Sequence, residues 1–244
     1  MSSDYTQKKD CADGYLYFSN HNLEFLKARG FNNFFQIGYP LGFYEYVEFI
    51  KENSRKYLRK ELGITILKKE TITIQINKYY GKWANKDEKW VIKRVTMIID
   101  LISKKFNKLN ILIRIHPITD LNKINYLKEQ IKKLNKGNTN IYFSSLNSST
   151  LADLSFLTIG LCTSSVFLHS LFMGVPYIEF SEFSEEQKKI FPLGACNTKF
   201  GVLPASNKKQ LEAIIYSGKF KKSLELFKNQ IDIKKNNYFD LNIK

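Results

Sequence analysis

Along this chain, short runs of β-branched and apolar residues alternate with longer stretches whose apolar positions recur at helical spacing. Phe34-Phe35-Gln36-Ile37-Gly38 reads as a short strand that stops at Tyr39-Pro40. Tyr44 to about Leu62 carries an amphipathic pattern, and Gly63 supplies a helix stop. Thr71-Ile72-Thr73-Ile74-Gln75-Ile76 is rich in β-branched residues and predicts a strand. A polar, aromatic loop follows from Asn77 to Asp87. Trp90–Phe106 then places Val91, Ile92, Val95, Ile98, Ile99 and Ile102 on one helical stripe.

The alternation continues to the end of the chain. Strand Ile111–Ile115 precedes a helix from Leu121 to Leu134, ended near Gly137. Strand Ile141–Phe143 leads through a Ser/Asn-rich turn, 144–150, to a short helix at Leu151-Ala152-Asp153. The strand 156–162 opens a helix over Ser164–Met173, which Gly174 and Pro176 stop. Tyr177–Phe180 is a further strand, and Gly201-Val202-Leu203 predicts a short one. Asn207–Tyr216 and Lys222–Ile231 predict terminal helices, with a frayed lysine-rich tail from Lys234.

Strands separated by helices of roughly 10–15 residues predict βαβ units. The expected fold is therefore α/β, a doubly wound, Rossmann-like parallel sheet. Residues 67–218 are expected to form that domain. Residues 1–66 hold one short strand and one long helix, too little for a second sheet. They read as the end of a preceding domain and a crossover helix. Residues 219–244 read as a C-terminal helix and a basic tail.

Composition adds less. A hydrophobic content of 43% suffices for a core. The formal net charge of +15 favours anionic partners such as nucleotides, acidic glycans, anionic lipid or nucleic acid. Lys, Asn, Ile, Phe and Tyr are abundant together, as an AT-rich genome also produces, so charge alone does not choose the partner. No nucleic-acid motif accompanies it, and nucleic acid is not the expected partner. Cys11, Cys162 and Cys196 are odd in number, lack metal spacing and fit reduced thiols. The first ten residues lack the apolar core of a signal peptide. No apolar run approaches the roughly 20 residues of a membrane span. A cytoplasmic protein is expected, and the lysines leave open peripheral contact with the inner face of an anionic membrane.

Candidate chemistry gathers at two strand ends. Arg114-Ile115-His116-Pro117 closes one strand, and Thr163-Ser164-Ser165 closes another and opens a helix. In parallel α/β sheets ligands bind at the carboxyl ends of strands. Hydroxyls at a helix start suit a phosphate, and they also serve as helix caps. Pro117 holds His116 extended. Its imidazole is a phosphate donor that would bind more strongly if protonated. Arg114, two residues back, lies on the same strand face. His169 falls one turn after Ser165, at the cleft or the core edge. Ser144, Ser145 and Asn77 lie on loops of the same rim and are candidates for base or ribose contact. The loop Lys78-Tyr79-Tyr80-Gly81-Lys82-Trp83 shares that rim. No Gly-x-Gly-x-x-Gly, Walker-type or Gly-x-Ser-x-Gly motif is present, and no residues have metal spacing.

Arg-x-His-Pro at 114–117, Ala152-Asp153, Thr163-Ser164-Ser165, and the run from Leu168 to Met-Gly-Val-Pro at 173–176 together resemble the C-terminal domain of GT-B glycosyltransferases. The similar groups carry paired HP and SS motifs. They include bacterial capsule and surface-polysaccharide transferases, polysialyltransferase-like and Kdo-transferase-like enzymes, and CDP-glycerol glycerophosphotransferases. The resemblance covers about residues 71–216. More weakly, 13–19 and 30–40 resemble the end of the N-terminal domain and its crossover. It implies that His116, Ser164 and Ser165 bind the phosphate of a CMP-, CDP- or UDP-linked donor, which is a substrate, with no further cofactor. Where many relatives carry a Glu on the donor ribose, this chain has His169.

The resemblance further implies a glycan or lipid-linked acceptor and a first domain that these residues largely lack. A fragment, a split gene product or a partner chain carrying that domain is expected, and no general base can be named. A nucleotide-sugar 2-epimerase on a similar scaffold, and a non-catalytic nucleotide-binding subunit, are the alternative readings.

Overall fold

Two short strands, β1 (Tyr15–Tyr17) and β2 (Phe34–Gln36), pair in parallel as a sheet of their own. Sequence reading found only one strand in this region. Three residues carry too little alternation to register alone, and β1 is a strand only because β2 pairs with it. The computed structural model describes residues 15–17, 27, 30, 33–36, 39–79, 86–134, 138–182 and 198–230. The expectations for Tyr80–Trp83, Cys11, Cys196, Gly137, Ile231 and the tail from Lys234 lie outside those residues.

The main sheet has six strands, all parallel: β3 (Thr71–Ile76), β4 (Leu109–Ile115), β5 (Thr139–Phe143), β6 (Leu157–Leu161), β7 (Tyr177–Phe180) and β8 (Leu203–Ala205). Their order is β5-β4-β3-β6-β7-β8. The chain winds outward from β3 in one direction, then returns to β6 and winds outward in the other. That is the doubly wound, Rossmann-like order, and its switch point lies between β3 and β6.

The helices are α1 (Tyr44–Leu62), α2 (Glu88–Lys105), α3 (Leu121–Lys132), α4 (Ser148–Asp153), α5 (Phe167–Phe172), α6 (Lys208–Ser217) and α7 (Lys222–Gln230). Their starts follow capping chemistry. Asp87 accepts from the Trp90 N–H, Asp120 from Asn122 and Lys123, Asn147 from Thr150, and Asn207 from Gln210. The Asn147 cap starts α4 three residues before the expected Leu151. Conversely, α5 begins at Phe167 rather than Ser164. The Ser164 hydroxyl accepts from the Val166 N–H at 3.3 Å, a local turn that competes with the first helical turn. Gly63 ends α1 at φ +68, in the left-handed region that a side chain resists, and its N–H returns to the Arg59 carbonyl.

The two faces of the sheet differ in kind. Ile72, Ile74, Ile76, Ile111, Ile113, Ile159, Leu161 and Ile178 join Val91, Val95, Ile98, Ile102, Leu127, Ile131, Leu211 and Ile215 in one apolar core under α2, α3 and α6. The other face carries Thr71, Thr73, Gln75, Thr158 and Glu179, all buried. Strands buried on both sides usually read as continuous apolar runs. Here β3 alternates and is still buried throughout. Thr73 is satisfied by the Leu151 carbonyl and the Ser155 hydroxyl of the α4 segment. Smaller apolar clusters seat α1 and α4 on this face through Leu58, Leu112 and Leu151, and through Ile50, Ala152 and Val175. No helix among the described residues is long and apolar enough to cross a membrane.

Candidate functional site

The register places Arg114 beside Gln75, Gln75 beside Gly160, and Gly160 beside Glu179. Paired residues of parallel strands share a face, so these four form one row across the middle of the sheet. The row lies just below the carboxyl ends of the strands. Gln75 is buried, and its Nε2 donor has no protein acceptor. Above the row the strands end in Asn77, His116 and Cys162.

Asn77, a base or ribose candidate from the sequence, is 2% exposed and spans the switch point. Its backbone N–H donates to Leu161 O at 3.3 Å, and its side-chain amide donates to Cys162 O at 3.0 Å. Cys162 has φ +64, the left-handed region that non-glycine residues avoid. That conformation costs roughly 1–2 kcal/mol. It is held from both sides, because the Cys162 N–H also donates to Phe180 O at 3.0 Å. The strained residue turns the chain out of β6 into Thr163-Ser164-Ser165. Burial, together with Glu179 nearby, pushes the Cys162 thiol up to about 12, so it stays protonated and unreactive.

Below this turn, Thr163 Oγ1 donates to the buried carboxylate of Glu179 at 2.8 Å, and Ser181 Oγ donates to the same oxygen at 3.1 Å. Ser164 is half-buried and its hydroxyl closes the turn to Val166, while Ser165 is exposed. Thr163 thus anchors the turn, and the two serines sit above it.

Across β3, the His116 N–H continues the sheet by donating to Ile76 O at 2.9 Å. Pro117 makes the turn, and Thr119 N–H closes it on His116 O at 3.0 Å. Within it, the Ile118 N–H donates to His116 Nδ1 at 3.2 Å. An imidazole that accepts at Nδ1 carries its proton on Nε2. Burial, then the charges of Arg114 and Lys78, hold its pKa below the ordinary value. Burial, two cations and a backbone N–H oppose protonation, so without an anion beside it the imidazole is a neutral N–H donor. Arg114 is fixed by its Nε donating to Leu146 O at 3.0 Å. Strands β4 and β6 flank β3, so the His116 and Ser164 turns lie about 10 Å apart, at two strand spacings.

His169 joins the same electrostatic cluster. Tyr46 of α1 donates to Ser149 Oγ at 3.2 Å, and Ser149 Oγ lies 2.7 Å from His169 Nδ1. Burial first, and then Arg114, lowers the His169 pKa to about 4. The sign of the stability effect follows: the unfolded chain takes up this proton near pH 6.5, before the folded chain does. Stability is full above that pH and falls as pH drops toward 4, by about 3 kcal/mol for a mostly buried group. His116 adds a slope of the same sign. His169→Gln is expected to flatten the fall in unfolding free energy between pH 7 and 4.5. An unchanged slope in urea titrations would remove His169 from this account.

Ser144 and Ser145 are placed differently from the phosphate candidates. Glu61, in the last turn of α1, accepts from the Ser144 hydroxyl, from the Ser145 N–H at 2.6 Å and from the Ser145 hydroxyl at 2.5 Å. The carboxylate ties α1 to the rim loop after β5. Sequence reasoning passed over Glu61, Tyr46 and Ser149, whose roles depend on helix packing. Gln75 and Glu179 carried a visible signal, a polar residue inside an apolar strand. Tyr79 of the aromatic rim loop is buried and donates to Glu88 at 3.1 Å. Among the described residues, no group of three or more His, Cys, Asp or Glu is arranged to hold a metal ion.

No protein-family model matches the chain, and no curated protein matches it. Solved structures do. A UDP-GlcNAc 2-epimerase from Neisseria meningitidis, bound to UDP-GlcNAc, aligns with a TM-score of 0.59 at 10% identity, over 93% of this chain and 58% of its own. The wall teichoic acid polymerase TagF, soaked with CDPG, gives 0.59 at 16% identity, over 92% of this chain and 53% of its own. The UDP-GlcNAc 2-epimerase of Methanocaldococcus jannaschii, in complex with UDP-GlcNAc and UDP, gives 0.56 at 14% identity, over 89% and 60%. This chain therefore spans between 53% and 60% of the length of these three proteins. The likeness is one of fold: a six-stranded parallel sheet of the Rossmann-like, GT-B type.

Proposed function

We propose that this chain is the donor-binding half of a GT-B transferase that uses a nucleotide-activated sugar or glycerol phosphate in surface-polysaccharide synthesis. One observation carries the reading. Arg114 and Lys78 place two positive charges beside the neutral His116 imidazole at the carboxyl ends of β4 and β3, where burial first and then both charges hold its pKa down. Two like charges side by side at the strand ends are relieved by an anion, and a nucleoside diphosphate supplies one. In this reading Arg114 and the His116 Nε2–H meet one side of the diphosphate, and the Ser164 and Ser165 hydroxyls meet the other. As the donor bond breaks, charge gathers on the departing phosphate oxygen. Donors already fixed in place stabilise that charge without reorganising.

The donor is CMP-, CDP- or UDP-linked and is a substrate. The acceptor-binding half, with the general base, belongs in this proposal to further sequence or to a partner chain, because the structural neighbours are longer. The acceptor is a glycan or lipid-linked, reached at the inner face of the cytoplasmic membrane. A second reading, nucleotide-sugar 2-epimerisation, has equal support from the fold, since an epimerase and the polymerase align equally well. Incubation with UDP-GlcNAc separates the two: an epimerised product favours the second.

Calorimetry with CMP, CDP and UDP tests the site itself. A hydrogen bond to a charged group is worth about 1.5–3 kcal/mol, so His116→Ala with Ser164→Ala is expected to weaken binding at least tenfold. His116→Gln places an amide N–H near the lost Nε2–H and should recover most of the affinity, whereas His116→Asn should not. Unchanged affinity in the double variant would remove both residues from the site.

A further inference from the structure

A cavity of about 630 Å³ opens at the opposite end of the sheet from the switch point. Its lining includes Lys69, Phe106, Phe156 and Pro176, which directly precede or lead into β3, β4, β6 and β7. The size falls within the range of small-ligand sites, roughly 300–1,000 Å³. Its floor is aromatic: Phe106 and Phe156 meet edge to face at 5.2 Å, and Phe220 lies 6.5 Å from Phe156. Its mouth is cationic. Lys69, Lys105 and Lys221 line it, all exposed, and among the described residues no carboxylate does. Lys105 Nζ is held 5.4 Å over the Tyr216 ring, which keeps one ammonium at the rim.

An apolar floor beneath a ring of ammonium groups suits a ligand with the reverse polarity. We infer that this cavity binds a single-chain anionic amphiphile, an alkyl or prenyl chain ending in a phosphate or carboxylate, with the chain on the three phenylalanines and the head among the three lysines. The site lies outside the nucleotide cluster and does not depend on how that cluster is read.

Titration calorimetry of the full chain with dodecyl phosphate, below its micelle concentration, tests this. Saturable one-to-one binding is expected, at least tenfold tighter than for dodecyl maltoside, and none for inorganic phosphate. Lys69→Glu with Lys221→Glu, both at exposed positions, should weaken dodecyl phosphate at least tenfold, leaving dodecyl maltoside and CDP binding as they are. Equal affinity for the charged and neutral amphiphiles, or no effect of the charge reversals, would overturn the inference. Binding to phosphatidylglycerol vesicles without binding of the monomeric amphiphile would also overturn it, since the groove would then be a membrane-docking surface.

Discussion

Gly160→Ala is expected to destabilise the protein by about 3 kcal/mol, at the upper end of the usual cost of overpacking a core. Gly160 lies in β6, with β3 on one side and β7 on the other. A methyl group there would stand 1.7 Å from Tyr177 Oη, 2.5 Å from Tyr177 Cζ and 3.2 Å from Asn77 Nδ2. Tyr177 is fully buried and packs edge to face with Phe167, so its ring has no empty space to swing into. For a domain of this size the loss corresponds to a fall in Tm of about 6–12 °C. The effect should reach the site. Asn77 is the group that holds the Cys162 carbonyl, so crowding it releases the strained turn that carries Thr163, Ser164 and Ser165. Tyr177→Phe removes the nearest atom but leaves Cζ, so the Gly160→Ala/Tyr177→Phe pair should recover part of the loss. Thermal unfolding of the four variants measures the coupling. A Gly160→Ala protein within 1 kcal/mol of the parent would mean that Tyr177 is not confined as described.

The same region marks where sequence and structure part. The succession of strands and helices followed from hydropathy, because Ile72, Ile74, Ile111, Ile113 and Ile159 are periodic and local turns punctuate them. The placement of the two turns was legible because His116-Pro117 and Thr163-Ser164-Ser165 each follow a strand, and a parallel sheet gathers strand ends on one rim. What could not be read is which groups support them. Asn77 looked like the first residue of an exposed loop, yet its amide is consumed on a carbonyl 85 residues away in sequence. Ser144 and Ser145 read as rim-loop residues that could touch a base or ribose, yet Glu61 accepts from both hydroxyls. In each case the partner lies on an element whose docking depends on the whole sheet, and local pattern carries no record of it. The protonation of His116 was hidden for a related reason. It depends first on burial, and then on an Ile118 N–H two residues on and on two cations brought close by the fold.

Arg114→Gln is expected to weaken nucleoside diphosphate binding by about 100-fold, the loss of two charge-assisted hydrogen bonds at the lower end of their range. Arg114 is the group the cluster shares: it depresses both His116 and His169, and its Nε is held by Leu146 O. Two readouts therefore move in opposite senses when it is removed. Affinity falls, and both imidazole pKa values rise, because a positive neighbour that disfavoured protonation is gone. NMR titration of the two ring signals follows the second effect without any ligand. Arg114→Lys keeps the charge but loses the planar fork, so its affinity should fall between the parent and Arg114→Gln. The histidines should then shift little. A glutamine variant that folds, keeps its affinity within threefold and still shifts both histidines would place Arg114 beside the cleft but outside the ligand's reach. If neither histidine moves, the three groups do not form one electrostatic unit, and the cluster that carries the proposed function is dissolved.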